Sequence, residues 1–196
     1  MISLQTINKS LAIEVRQILT ENLASEYVYH TIEHTEYVVE AVWYICQFEA
    51  VDSLALERLN AVAWLHDIGY LLGHKNHERQ GAAIARDLLR SLKYEPSDID
   101  AIEQLILATR MPQKPKNLEE QIICDADLFH LSQPEYFTRC TLLRLELANL
   151  GVRFTNQEWR EENIRFFDEH RYHSQFGKEV LAGKKLNNLI AMLNSN

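Results

Sequence analysis

Apolar residues recur at three- and four-residue steps along nearly the whole chain, which is the spacing of one face of an α-helix. Glycine and proline, which interrupt helices, number only 6 and 4, so helices are favoured over strands. The pattern and its flanking residues predict successive helices over about 10–23, about 31–49, from Ser53 to near Gly69, over about 77–92, after Pro96-Ser97, across Ile122–Leu128, from Pro134 to Gly151, from Thr155 to about His170 and over about 178–193. The sequence therefore predicts an all-α fold.

Length and composition indicate one globular domain. The 196 residues are 46% hydrophobic and 24% charged, which is ordinary for a folded protein. No repeat, low-complexity tract or linker divides them. We therefore expect a single domain over 1–196.

Charge and hydropathy bear on partners and location. The 20 Lys and Arg residues are outnumbered by 28 Asp and Glu, which gives a formal net charge of −8. Binding to a nucleic-acid backbone needs a basic surface instead. The N-terminal residues lack a basic start followed by a long apolar run, and no later stretch approaches the length of a membrane-spanning helix. We expect no nucleic acid and no membrane as partner, and a cytoplasmic location.

Histidine is unevenly distributed along the chain. Five of the eight histidines lie between positions 30 and 77: His30, His34, His66, His74 and His77. The first two are four residues apart, which places both rings on one helix face if the second helix begins by His30. Two imidazoles so placed can converge on one site.

Ionisable residues also interrupt two strongly apolar segments. His66-Asp67 lies in the second half of the segment AVAWLHDIGY, and Asp125 and Asp127 lie within QIICDADLFHL. Burying such groups is costly unless a cation or a dense hydrogen-bond network satisfies them. Residues two apart on a helix point in nearly opposite directions, so only one of the two aspartates of the second segment is expected to reach a shared site.

The order His34, His66-Asp67, Asp127 resembles the H…HD…D signature of the HD superfamily, which consists of all-helical, metal-dependent phosphohydrolases. The flanking segments YHTIEHTEYV, WLHDIGY, NHERQGAAIARDLL, LILATRMP and DADLFHLS are similar in order and spacing, and the likeness covers about 10–190. The C-terminal residues resemble the extension of the small single-domain branch, the predicted metal-dependent HD phosphohydrolases. The resemblance implies a phosphodiesterase-like helical bundle on which the helices over about 134–193 pack as an extension.

The resemblance also implies a metal site. Four residues match the superfamily's ligands: His34, His66, Asp67 and Asp127. Two imidazoles with two carboxylates suit Mn²⁺, Fe²⁺, Co²⁺, Ni²⁺ or Zn²⁺, and Mg²⁺ remains a candidate. When bound, such a metal activates water for attack on a phosphoryl group, and we expect Asp67 to help orient that water.

His30 has two interpretations. The segment YHTIEH is similar to the YHNxxH start of class I cyclic-nucleotide phosphodiesterases, in which the first histidine protonates the leaving oxygen. The resemblance thus implies a catalytic role for His30, and the alternative is that its ring only packs at a helix start. Thr31 departs from the asparagine of that pattern, so the phosphodiesterase substrate is not transferred to this chain.

His77-Glu78 occupies the place where two-metal HD proteins supply a ligand to a second metal. Those proteins place further histidines near the end of the next helix, where this chain has Thr109-Arg110. We therefore favour one metal over two, with His77 supporting the first metal's ligands or contacting substrate.

Phosphate recognition needs cations close to the metal. Arg110 is one candidate, and the other charged side chains of its proline-containing loop are Lys114 and Lys116. Lys75 and Arg79 are further candidates, because they flank His77. The alternative is that these cations are simply solvated.

The leading hypothesis is hydrolysis of a phosphomonoester or phosphodiester in a small, nucleotide-like substrate by metal-activated water. Two alternatives stay open at this point. One is a nucleotide-binding module whose metal is structural, and the other is a di-iron HD oxygenase. The sequence does not identify the substrate, the native metal or the oligomeric state.

Overall fold

The structure, a computed structural model, describes residues 4–194 and confirms the all-α prediction, with no strand in that range. Its helices are α1 (Leu4–Asn22), α2 (Ile32–Cys46), α3 (Ser53–Leu65), α4 (His77–Ser91), α5 (Pro96–Ala108), α6 (Leu118–Asp127), α7 (Tyr136–Asn149), α8 (Asn156–Glu169) and α9 (Ala182–Asn194), with 3₁₀ helices over Ile68–Leu72 and Phe129–Ser132 and a π-helical turn over Gly177–Leu181. Residues 1–3 and 195–196, which the expected domain includes, lie outside the described residues.

The start of α2 corrects one prediction. Thr31 has extended backbone angles, φ −111° and ψ 179°, and the helix begins only at Ile32. His30 therefore precedes the helix, so the prediction that His30 and His34 share one helix face is wrong. The two rings are nevertheless neighbours, with centroids 5.7 Å apart.

The end of α3 is also earlier than predicted. The helix is capped at its start by Asp52, whose side chain accepts a hydrogen bond from the Ala55 amide, and it ends at Leu65 rather than near Gly69. A 3₁₀ helix follows and packs against α4. A side chain at Gly69 would place its Cβ 1.9 Å from the His77 carbonyl oxygen, so only glycine permits this approach.

The core is centred on α3, which packs against α1, α2, α5 and α6. Leu59, Val62 and Leu65 are fully buried, and each contributes about 1.5–3 kcal/mol relative to an exposed side chain. Because α2 also packs against α6, the start of α2, the end of α3 and the end of α6 meet at one place.

The C-terminal helices attach to this core through α6 and the 3₁₀ helix that follows it. The predicted capping box begins α8, where the Thr155 and Glu158 side chains exchange hydrogen bonds with each other's backbone amides. The last helix, α9, packs on α8 and on the second 3₁₀ helix. None of the helices described is both long and apolar enough to span a bilayer.

Candidate functional site

The four residues of the sequence signature come from the three helices that meet at the core. His34 lies in the first turn of α2, His66 and Asp67 directly follow α3, and Asp127 is the last residue of α6. The imidazoles of His34 and His66 are 2% and 1% exposed. The structure thus brings together side chains that are up to 93 positions apart in the sequence.

Two imidazole nitrogens and two carboxylates face one another at this point. The Nε2 atoms of His34 and His66 are 3.4 Å apart. Asp67 Oδ2 lies 3.4 Å from the first nitrogen and 3.1 Å from the second, and Asp127 Oδ1 lies 3.5 Å and 3.7 Å from them. His34, His66 and Asp127 each offer one donor atom, and these three atoms all lie within 4.8 Å of one another. One metal ion can bind all three at this spacing.

The donor atoms fit a divalent metal on two further grounds. Asp67 Oδ2 is buried and receives no well-directed hydrogen bond, although His66 Nε2 lies 3.1 Å away, so this carboxylate oxygen is available to a cation. His66 Nδ1 lies 2.9 Å from the Ala63 carbonyl oxygen, which leaves Nε2 as the ring nitrogen that faces the site, where a metal would replace its proton. The Gln113 amide donates to Asp127 Oδ2 at 3.3 Å and leaves Oδ1 facing the histidines.

The charges at this site are strongly coupled. Burial alone would lower the pKa of His66, but the adjacent Asp67 carboxylate outweighs it and raises that pKa to about 9. The same contact lowers the pKa of Asp67 well below its usual range, although burial opposes it. Burial lowers the pKa of His34 despite both aspartates. The two carboxylates therefore provide a negative field that favours positive charge between the imidazoles.

His30 lies beside this group and is held from both sides. Its Nδ1 is 2.5 Å from Glu146 Oε1, and its Nε2 is 3.1 Å from the Tyr70 hydroxyl. Glu146 Oε2 also accepts hydrogen bonds from the Tyr29 and His30 amides, at 2.8 Å and 3.0 Å. Burial would raise the pKa of Glu146, but the hydrogen bonds from His30 outweigh burial and lower it, so this residue is a carboxylate at neutral pH.

His77 and Glu78, the first residues of α4, lie on the other side of Asp67. His77 Nε2 is 3.6 Å from Asp67 Oδ1, whereas His34 and His66 face Oδ2. The Glu78 carboxylate is 3.7 Å from the same His77 nitrogen and is buried. The contact between Gly69 and α4 brings this helix start against Asp67.

A cleft of about 180 Å³ opens onto these side chains, and we call it the histidine cleft. It is lined by Tyr29, His30, Asp67, Tyr70, His77, Glu78, Thr109, Met111, Asp127, Leu128, His130, Leu143 and Phe166. No Lys or Arg is among them. The predicted phosphate-binding cations Lys75, Arg79 and Arg110 are exposed and lie outside this lining.

Several residues in or beside the cleft were not identified from the sequence. Glu146 is 116 positions from His30, and the only signal for it is an acidic residue within the apolar segment LLRLELANL. His130, to which sequence analysis assigns no role, lines the cleft, and burial lowers its pKa to about 3, so its ring is neutral. Tyr70 lies three residues after Asp67 and carries no distinguishing pattern.

Comparison with known proteins agrees with this geometry. The HD-domain family model matches residues 29–132, which is more than half of the chain. No curated protein matches the chain. The matched range includes His34, His66, Asp67 and Asp127.

Three solved structures share the fold. Bacillus subtilis YpgQ in complex with ADP is 16% identical with a TM-score of 0.63, covering 95% of each chain. A Lactobacillus plantarum protein is 18% identical with a TM-score of 0.61, covering 100% of this chain and 87% of its own. A predicted HD superfamily hydrolase from an uncultured Thermotogales bacterium is 24% identical with a TM-score of 0.56, covering 80% and 87%.

HD domains generally bind metal, and the His/Asp group at the centre of the matched range can hold one. The family match and this donor set together support a metal-dependent hydrolase. The chain belongs to the HD-domain family.

Proposed function

We propose that this protein is a metal-dependent phosphohydrolase that cleaves a phosphomonoester or phosphodiester in a small, nucleotide-like substrate by attack of water. The observation that carries the proposal is the convergence of two imidazoles and two carboxylates, one of them with a buried oxygen that receives no well-directed hydrogen bond, at the wall of an open cleft. A purely structural metal needs no cleft beside it, whereas hydrolysis needs room for both water and substrate.

His34, His66, Asp67 and Asp127 would hold the metal. When bound, the metal lowers the pKa of a water molecule and polarises a phosphoryl oxygen. Asp67 is placed to orient the attacking water, because its Oδ1 is directed away from His34 and His66 toward the side of His77. The fixed Nδ1 contact of His66 and the Gln113 contact of Asp127 keep these ligands in place.

His30 is the proposed general acid. Its ring lines the histidine cleft, and the contact of Nδ1 with the Glu146 carboxylate fixes the orientation of the ring. The other ring nitrogen, Nε2, lies 3.1 Å from the Tyr70 hydroxyl and is the atom from which a proton would pass to the substrate. Glu146 is therefore a positioning residue, and it also holds the His30 backbone amide. The alternative role of His30, packing alone, predicts no dependence of turnover on this contact.

One metal is favoured over two. A second metal on the Oδ1 side of Asp67 would find His77 and Glu78 as protein ligands, and Thr109 lines the cleft where further histidines would be needed. His77 fits better as a residue that contacts Asp67 or the substrate. Mg²⁺ or Mn²⁺ would tolerate a second site filled mainly by water.

Two observations favour a nucleotide as substrate. The structural neighbour YpgQ was crystallised with ADP. In this chain the histidine cleft combines its polar centre with the apolar side chains of Met111, Leu143 and Phe166. Such surfaces accommodate a nucleobase or sugar while the phosphate lies at the metal.

The test is metal content and turnover measured on the same protein. Protein purified without chelator or nickel affinity resin is analysed by inductively coupled plasma mass spectrometry and incubated with a panel of nucleotides, with products separated by chromatography. We expect about one divalent transition metal per chain and metal-dependent product formation. Asp127→Ala is expected to lose both, and Asp87→Ala, an exposed aspartate of α4, to retain both.

The same measurement separates the alternatives. Two irons per chain together with oxygen consumption would indicate the oxygenase. Nucleotide binding without turnover, combined with loss of thermal stability on metal removal, would indicate the binding module. Either result contradicts the proposed phosphohydrolase activity.

A further inference from the structure

A second cleft of about 410 Å³ lies beside the histidine cleft, between the end of α5, the following loop and α6. Three cations line it: Arg110, Lys114 and Lys116. We call it the basic cleft. Met111 lines both clefts and is 51% exposed, so it stands at the boundary between them.

The three cations have no anionic partner among residues 4–194. Elsewhere in that range, arginines such as Arg58 and Arg86 pair with carboxylates. Glu120 is the one acidic residue lining the basic cleft, and its carboxylate is already occupied by the Lys116 backbone amide at 2.6 Å and the Asn117 side chain at 3.1 Å. In a chain of net charge −8, three unpaired cations around one cleft form a local positive field.

The loop that carries these cations also contacts the proposed metal site. Gln113, between Arg110 and Lys114, donates its side-chain amide to Asp127 Oδ2 at 3.3 Å. Thr109 lines the histidine cleft, and its neighbour Arg110 lines the basic cleft. One short loop therefore forms part of the wall of both clefts.

The histidine cleft alone cannot neutralise a polyanionic substrate. Its lining contains Asp67, Glu78 and Asp127 but neither Lys nor Arg, so the proposed metal would be its main positive charge. Any further phosphate charge needs cations elsewhere. The basic cleft supplies them on the other side of Met111.

We propose that the basic cleft binds a second phosphate group of the substrate while the reacting phosphoryl group lies at the metal. This assignment rests on the proposed function and narrows its substrate class to small molecules with more than one phosphate. Arg110 offers a planar pair of donors for phosphate oxygens, and Lys114 and Lys116 contribute point charges.

The test compares two charge-matched triple variants. Arg110→Gln, Lys114→Gln and Lys116→Gln together remove the proposed subsite. Arg90→Gln, Arg153→Gln and Lys178→Gln remove three exposed cations that line none of the clefts described above.

Dissociation constants of AMP, ADP and adenosine 3′,5′-bisphosphate are measured by calorimetry on manganese-loaded protein, and hydrolysis of p-nitrophenyl phosphate reports on the histidine cleft. The single variant Arg110→Gln guards against misfolding of the triple variant.

We expect the subsite variant to bind ADP and the bisphosphate about tenfold or more weakly than wild type, because charge-assisted hydrogen bonds are lost. AMP binding and p-nitrophenyl phosphate hydrolysis should match those of the control variant. Equal ADP binding by both variants would overturn the subsite, as would an equal loss of AMP and ADP binding. If wild-type protein hydrolyses no phosphoester, the proposed function fails, and the binding comparison still decides whether the basic cleft holds a phosphate.

Discussion

The end of α6 carries two carboxylates that lie in different environments. Asp125 is fully buried, and its oxygens accept hydrogen bonds from the backbone amides of His173 and Ser174, both at 2.8 Å. Asp127, two residues later, has a side chain that is 20% exposed, and it faces the rings of two histidines. One carboxylate therefore joins the core to the C-terminal segment, and the other belongs to the open cleft.

The difference between these two regions shows how a buried acid can be assigned a role. Around Asp125 every close group is a fixed donor of this chain, and Gly177 permits the approach, because a Cβ there would lie 2.2 Å from Asp125 Oδ2. In the histidine cleft the partners are imidazole nitrogens, and Asp67 Oδ2 receives no well-directed hydrogen bond. A carboxylate that the chain itself satisfies is structural, whereas one that it leaves unsatisfied is available to a ligand.

The largest effect is expected from Asp127→Asn. The amide cannot supply the anionic oxygen that the proposed metal site needs, so we expect the variant to lose bound metal and all metal-dependent hydrolysis. The metal-free variant should be no less stable than the metal-free wild type, because a charge beside Asp67 is removed. Metal analysis, turnover and thermal unfolding check this. Full activity in the variant would contradict the ligand assignment.

His30→Ala is expected to lower kcat by about 10²–10⁴-fold, which is the usual contribution of a general acid. Metal content should stay at the wild-type level, since His30 is not among the proposed ligands. Steady-state kinetics and metal analysis on one preparation distinguish the two roles of this residue. Unchanged turnover would leave His30 with a packing role only.

Glu146→Gln is expected to lower kcat by about 10–100-fold, the typical effect of removing a residue that orients an active group. The neutral amide lacks the charge-assisted contact with the His30 ring, so the wild-type advantage should disappear only at acid pH, where Glu146 itself becomes protonated, and the acid sides of the two pH profiles should differ. The depressed pKa of Glu146 keeps it ionised from neutral pH down past its ordinary range, so the contrast with Gln holds throughout that interval.

The pH profile makes the Glu146 prediction specific. A residue that only stabilises the fold would change the amount of active enzyme without moving the profile. Glu146→Asp serves as the conservative control, because it keeps the charge with a shorter side chain, and it should retain the wild-type profile at reduced kcat. Superimposable profiles for the Gln variant and the wild type would remove the positioning role.

The smallest effect on activity is expected from Asp125→Asn. In the wild type both Asp125 oxygens accept a hydrogen bond from a backbone amide, and in the variant the asparagine NH₂ would face one of these amides instead. That amide would lose its acceptor, so we expect a loss of about 2 kcal/mol in the free energy of unfolding. Metal content and kcat, measured well below the unfolding temperature, should be those of wild type. Chemical denaturation checks the stability. Loss of metal without loss of stability would reverse the roles assigned to the two aspartates.

Periodicity predicted most of the helices because their apolar faces are continuous in the sequence. The boundaries that matter for the site were less predictable. The extended conformation of Thr31 and the early end of α3 depend on packing against other helices, so local pattern did not place His30 or the turn after Asp67 correctly. Such element ends are set by a few specific contacts between helices, and a periodic pattern does not contain those contacts.

The histidine and aspartate signature could be found from the sequence because imidazoles and carboxylates within apolar segments are chemically conspicuous. Glu146 could not be linked to His30, since the two are 116 positions apart and meet only when α7 closes over the cleft. The sequence also placed Arg110 near the metal with Lys75 and Arg79, whereas the structure directs Arg110 to a neighbouring cleft.

By itself, the sequence determined the helical fold class and which residue types are available for metal chemistry, because both follow from local periodicity and from the cost of burying charge. Only the tertiary structure decided which carboxylate is satisfied by the chain and which is left free, and which cations surround a common cleft. Those properties depend on distances between separate helices, and such distances arise only when the core packs.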